Sequence, residues 1–99
     1  MKQGTTPTHT FTLPFETDVV AKVRVLYAQN GKLKIVKTET DATKEGNTIS
    51  VKLTQEETFR LHHSFPTEIQ IRVLTLSKEA FVSDVFSVPT DQCFSYEVL

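Results

Sequence analysis

The chain has 99 residues, with 11 Lys and Arg against 12 Asp and Glu and a formal net charge of -1. That length fits one domain with a single core, and that balance generates no field to gather phosphate backbones or anionic lipid, which argues against nucleic acid and membrane as partners. A single cysteine, Cys93, excludes an internal disulfide, and no CxxC pair or Cys/His cluster is present to hold zinc.

The amino-terminal MKQGTTPTHT is polar and lacks the apolar run of a secretory signal, so a reducing cytoplasm is the expected compartment, with residues 1–6 a flexible lead-in. Alternation in THTFTL (Thr8 to Leu13) predicts a first strand, with Pro7 and Pro14 bracketing it and protecting its edge. Asn30-Gly31, set between two β-prone segments, predicts a type I′ hairpin. A two-residue turn places Ala28 opposite Leu33, Leu26 opposite Ile35, Val25 opposite Val36 and Arg24 opposite Lys37. The last is a like-charge pair at which the ribbon is expected to slip, bulge or fray.

TKEGNT (Thr43 to Thr48) reads as a turn, and TISVKL as a strand with Ile49, Val51 and Leu53 inward. Thr54 and Glu57 then stand in the spacing of a capping box, predicting a short crossover helix near residues 54–62 that is stopped before Pro66. The strand pattern resumes in TEIQIRVLTL, with Ile69, Ile71 and Val73 inward, and closes with AFVSDVFSV (Ala80 to Val88) before Pro89. Six strands and one short helix predict an all-β fold, a small antiparallel immunoglobulin-like β-sandwich formed by residues 1–99 as a single domain. Residues 90–99 read either as an extra strand or as a tail, because Phe94, Tyr96 and Val98 alternate without an obvious partner strand.

No stretch carries a strong chemical signature. Adjacent His62 and His63 point about 100° apart on a helix and do not chelate together as an i, i+4 pair would. Asp41 to Gly46 echoes the start of a calcium loop, but Lys52 stands where the bidentate Glu belongs. Cys93 lacks a glycine-rich or helix-N-terminal setting to activate it and reads as a small apolar residue. Glu56 and Glu57 suit the positive end of the helix dipole better than acid–base work. No catalytic, metal or cofactor-binding residue and no cofactor is therefore expected.

The stretches GTTPTHTFTLPFET, YAQNGK, EGNTISVKLTQEETFRL and TEIQIRVLT together resemble a set of short, uncharacterised proteins of phages and prophages of gut Firmicutes, often encoded among genes for tail or other virion components. The likeness covers residues 4–88 and rests on the LTQEET and IQIRVL runs. It extends loosely to the immunoglobulin-like amino-terminal domain of phage baseplate upper proteins. Two features depart from the pattern: SKE after Leu76 lacks the expected glycine, and TDQCFSYEVL has no counterpart.

The resemblance implies a non-enzymatic structural or virion-assembly protein acting through protein–protein contacts, either with other phage structural proteins or by self-association. Its place would be the bacterial cytoplasm during assembly, or the virion. The alternative is a small binding module for a host-surface carbohydrate or protein ligand, although the absence of Trp and the presence of only two Tyr argue against sugar stacking. The expected interface is the unprotected end of the chain: Cys93, Phe94, Tyr96 and Val98.

Overall fold

The computed structural model describes residues 1–99 as eight strands, one single-turn 3-10 segment and one short helix. The strands are β1 (Thr8–Thr12), β2 (Val20–Gln29), β3 (Lys32–Thr38), β4 (Ala42–Glu45), β5 (Thr48–Lys52), β6 (Thr67–Thr75), β7 (Ala80–Val82) and β8 (Phe86–Val88). They form two antiparallel sheets, β1-β5-β4 and β3-β2-β6, with β7 and β8 both paired to the far edge of β6. The order is that of an immunoglobulin-like sandwich, strands B-E-D facing C′-C-F-G, with no full strand A outside β1. In place of that strand is one parallel bridge, Lys2 with Asp91, at one end of the sandwich.

The core lies between the sheets and follows the period-2 pattern of the strands. Val23, Val25 and Tyr27 of β2, Ile69, Ile71 and Val73 of β6, and Ile49 and Val51 of β5 are all buried, joined by Leu13, Leu53 and Leu61 from the connections. Asn30 and Gly31 both adopt positive φ, 50° and 75°, as a type I′ turn requires.

The β2–β3 register departs from a simple ladder. Ala28 faces Leu33, but Tyr27 faces Ile35 and Val25 faces Lys37, so Lys34 is an extra, unpaired residue. The expected irregularity thus lies nearer the turn than Arg24, and its cause is burial. An unbroken ladder would put Lys34 and Val36 on the inner face, whereas the bulge puts Ile35 and Lys37 there. Arg24 consequently faces Thr38 and pairs with Glu39 at 2.6 Å.

Two further differences concern short strands. Ala42–Glu45, read as part of a turn, is strand β4, held by β5 despite a composition that favours loops. The run Ala80–Val88 is one edge broken into β7 and β8, because the register against β6 advances by one residue across Ser83–Val85. Ser83 fills the break: its N–H donates to the Ile71 carbonyl and its Oγ accepts from the Ile71 N–H.

The chain crosses between sheets through helix α1 (Gln55–Phe59), shorter than the predicted 54–62. It starts by the predicted local chemistry: Thr54 Oγ1 accepts from the Glu57 N–H at 3.1 Å and Glu57 Oε1 from the Thr54 N–H at 2.9 Å. It stops early because Leu61 turns into the core and the His62 N–H is taken by the buried side chain of Gln29, at 2.8 Å.

Candidate functional site

The two edges that a full strand A would cover remain open. In the β1–β5 ladder, Leu13 donates to Asn47 and Leu53 donates to Pro7, so odd-numbered residues of β1 direct their main-chain groups at β5. By alternation, the N–H and C=O groups of Thr8, Thr10 and Thr12 point away from the sheet. No protein group bonds to them. Pro7 and Pro14 therefore bound β1 rather than blunt it: between them lie six residues, Thr8 to Leu13, with no proline, no lysine and no bulge.

Facing this edge, across the gap between the sheets, is the edge made by β7 and β8. The two enclose a groove of about 380 Å³ whose apolar wall includes Phe11, Leu13, Ile69, Ile71, Phe81 and Phe86. Phe86, at its lip, is 52% exposed. The Lys2–Asp91 bridge stands near one end of the gap, and Phe15 packs edge-on against Phe81 at 5.8 Å near the other. His9 is the one titratable side chain along the groove. Its Nδ1 lies 2.7 Å from the hydroxyl of Tyr27, which is fully buried. Burial first, and the positive amino terminus second, hold the imidazole below its ordinary value of 6.5. Burial, reinforced by the negative charge of Glu57, pushes the Tyr27 phenol well above its ordinary range.

A second polar cluster braces the α1 end. Lys37 Nζ and Glu57 Oε1 are 2.6 Å apart, and both side chains are largely buried. Burial alone would raise the Glu57 carboxyl; the Lys37 ammonium and the Thr54 N–H outweigh it and lower the value. Gln29 donates through Nε2 to the His62 and Phe65 carbonyls and to Thr90 Oγ1, so all its polar atoms are engaged. These groups are mutually satisfied, so the cluster is a brace.

Residues 90–99 add no strand to either sheet. The Cys93 N–H donates to Gln3 Oε1 at 3.1 Å, and its half-buried thiol donates to the Ser95 carbonyl. Phe94 is 100% exposed. Tyr96 stacks at 5.1 Å on Phe59 of α1, and its hydroxyl accepts from Gln3 Nε2 at 3.2 Å. Val98 lies over Thr6 and the Lys52–Glu56 stretch, and the Leu99 N–H donates to Gln55 Oε1. Residues 1–6, expected as a flexible lead-in, contain Gln3 at 2% exposure, bonded also to the Leu61 carbonyl at 2.6 Å.

The structure thus brings Cys93 and Tyr96 together around Gln3 and leaves Phe94 free. The groove, with Phe11, Phe81 and Phe86, was not anticipated from the sequence. The one local sign of it is a threonine-rich strand with no blunting residue inside its proline brackets.

His62 and His63 stack on each other with ring centroids 4.8 Å apart, and His62 Nδ1 accepts from the Ser64 N–H. No group of three or more His, Cys, Asp or Glu side chains converges in a way that could hold a metal ion. No helix is long and apolar enough to cross a membrane. No protein-family model matches the chain, and no curated protein matches it.

Proposed function

We propose that the protein is a non-enzymatic structural or assembly component of a phage particle, working through protein–protein contacts in the bacterial cytoplasm during assembly and then in the virion. The observation that carries this reading is the apolar surface at the carboxy-terminal segment. Phe94 and Leu99 are 100% and 95% exposed, and beside them are the half-exposed Tyr96 and Val98. Exposed large apolar residues clustered on one short segment are the mark of a contact surface. The polar clusters inside the sandwich satisfy one another and leave no convergent set of groups aimed at a substrate. The phage assignment rests on the likeness of the LTQEET and IQIRVL stretches to prophage-encoded proteins; the contact role rests on the surface.

The test is the protein content of purified particles. Particles released from an induced host strain that encodes this chain are expected to contain it at a fixed ratio to the other structural proteins. If it is missing both from the particles and from isolated assembly intermediates, the reading fails.

A further inference from the structure

We propose that the pocket between the tip of the β2–β3 hairpin and the 62–65 connection binds a phosphate dianion, either free or carried by a small organic ester. The proposal goes beyond the assembly reading and does not rest on it.

The pocket lies outside the core and has a volume of about 260 Å³. That is below the roughly 300–1,000 Å³ of sites that enclose a whole drug-sized ligand, so it suits one charged group with any remainder outside. Its walls come from two segments far apart in sequence. Gln29, Asn30, Lys32 and Lys34 belong to the hairpin, and His62 and Phe65 follow α1. Gln29 ties the two together: its side chain, 1% exposed, accepts from the His62 N–H at 2.8 Å and donates to the His62 and Phe65 carbonyls at 2.8 and 3.2 Å. The walls are set before a ligand arrives, which removes part of the ordering cost of binding.

The lining is one-sided in charge. No Asp or Glu lines the pocket, and none occurs in residues 29–38 or 62–67, the two stretches that meet there. Glu68 comes next, but it alternates with the buried Thr67 and Ile69 and so faces the other side of β6. The chain's two ion pairs use Arg24 and Lys37, which leaves Lys32 and Lys34 without a carboxylate. The bulge contributes directly. Lys34 faces no residue of β2, and both lysines line the pocket while Leu33 between them does not. His62 supplies a third donor, because its Nδ1 accepts from the Ser64 N–H at 3.0 Å and the neutral ring therefore carries its proton on Nε2.

These groups select the ligand. A phosphate monoester carries a charge of about −1.5 to −2 at neutral pH and presents three acceptor oxygens, which two ammoniums and one ring N–H match in both charge and number. A carboxylate has a single charge and a planar edge suited to the arginine fork, whereas lysines serve phosphate as point charges. Phe65, 39% exposed, is the one apolar wall, and the organic part of an ester would lie against it.

The experiment titrates the full chain with sodium phosphate, phenyl phosphate and sodium benzoate at constant ionic strength, followed by amide and imidazole NMR shifts. Expected are saturable shifts with both phosphates that centre on Lys32, Lys34, His62 and Phe65, and no such pattern with benzoate. Tighter binding of phenyl phosphate than of phosphate identifies an ester as the ligand; equal binding identifies free phosphate. Lys32→Gln and Lys34→Gln should each weaken binding about tenfold, the loss of one hydrogen bond to a charged group. Lys44→Gln removes a lysine from β4 in the other sheet and should leave binding unchanged. Circular dichroism checks that each variant keeps the strand spectrum, and the shift map of the unaltered chain locates the site without any variant. Equal losses in all three variants overturn the pocket in favour of general charge attraction. Shifts that do not saturate or that centre elsewhere overturn the site, and benzoate binding as tightly as phenyl phosphate overturns the phosphate assignment.

Discussion

At the α1 end of the sandwich the polar groups find partners within the chain, whereas along β1 three residues present main-chain groups that nothing in the chain meets. Thr54 and Glu57 cap each other, Glu57 also holds Lys37, and Gln29 ties together the His62 and Phe65 carbonyls and Thr90. No buried side-chain nitrogen or oxygen anywhere lacks a partner. The contrast shows that the open edge is not a symptom of loose construction. A chain that satisfies its interior this completely still leaves the β1 flank unpaired, and the groove beside it is apolar and free of blunting residues.

The largest change that would erase the contrast acts on the braced end. Glu57→Ala removes the carboxylate from the largely buried Lys37 and the helix cap together, and should lower stability by about 3 kcal/mol in denaturant unfolding. A loss no greater than that of Thr54→Ala would mean the ion pair braces nothing. Thr54→Ala itself deletes only the hydroxyl half of the cap, and a loss of about 1 kcal/mol is expected.

The smallest effect sits at the boundary between the two regions, where His9 reaches from the groove to Tyr27. Its folded-state value is lowered, so the folded form resists protonation, and its contribution to stability is complete above the ordinary 6.5. That contribution should decline as pH falls below 6.5, ahead of any loss at Glu57, whose lowered value places its own decline below the ordinary 4.5. Thermal melts between pH 7 and pH 5 should therefore show a drop that His9→Gln abolishes. An unchanged pH profile in that variant would separate His9 from the core.

Much of the braced region was legible in the chain. Thr54-x-x-Glu57 announces its cap, Asn30-Gly31 its hairpin, and the alternation from Ile69 to Val73 its buried strand, because each device acts over a few residues. The open flank was not legible in the same way. That Thr8–Thr12 is an edge follows from which strand neighbours β5, and that Phe86 lies across a gap from Phe11 follows from how two sheets stack; both relations join residues far apart in sequence. The burial of Lys37 is hidden from the sequence for the same reason. As a lysine on a hairpin it reads as exposed, and only the position of Glu57, twenty residues on and in another element, makes its burial favourable. The tail alternates in sequence, yet residues 90–99 pair with neither sheet.

The extra residue in β3 has a further consequence, for how this hairpin tolerates changes of length. Lys34 faces no residue of β2, and the pairs on either side of it, Ala28 with Leu33 and Tyr27 with Ile35, are the ones a regular ladder would form were it absent. Loss of one codon at Lys34 would leave a shorter, flatter ribbon with Ile35 and Lys37 still turned inward, since a bulge adds twist as well as a residue. Loss of Ile35 instead would bring Lys34 opposite Tyr27 on the inner face. Two in-frame deletions one codon apart thus differ in outcome: the first is absorbed, and the second puts a lysine in the core.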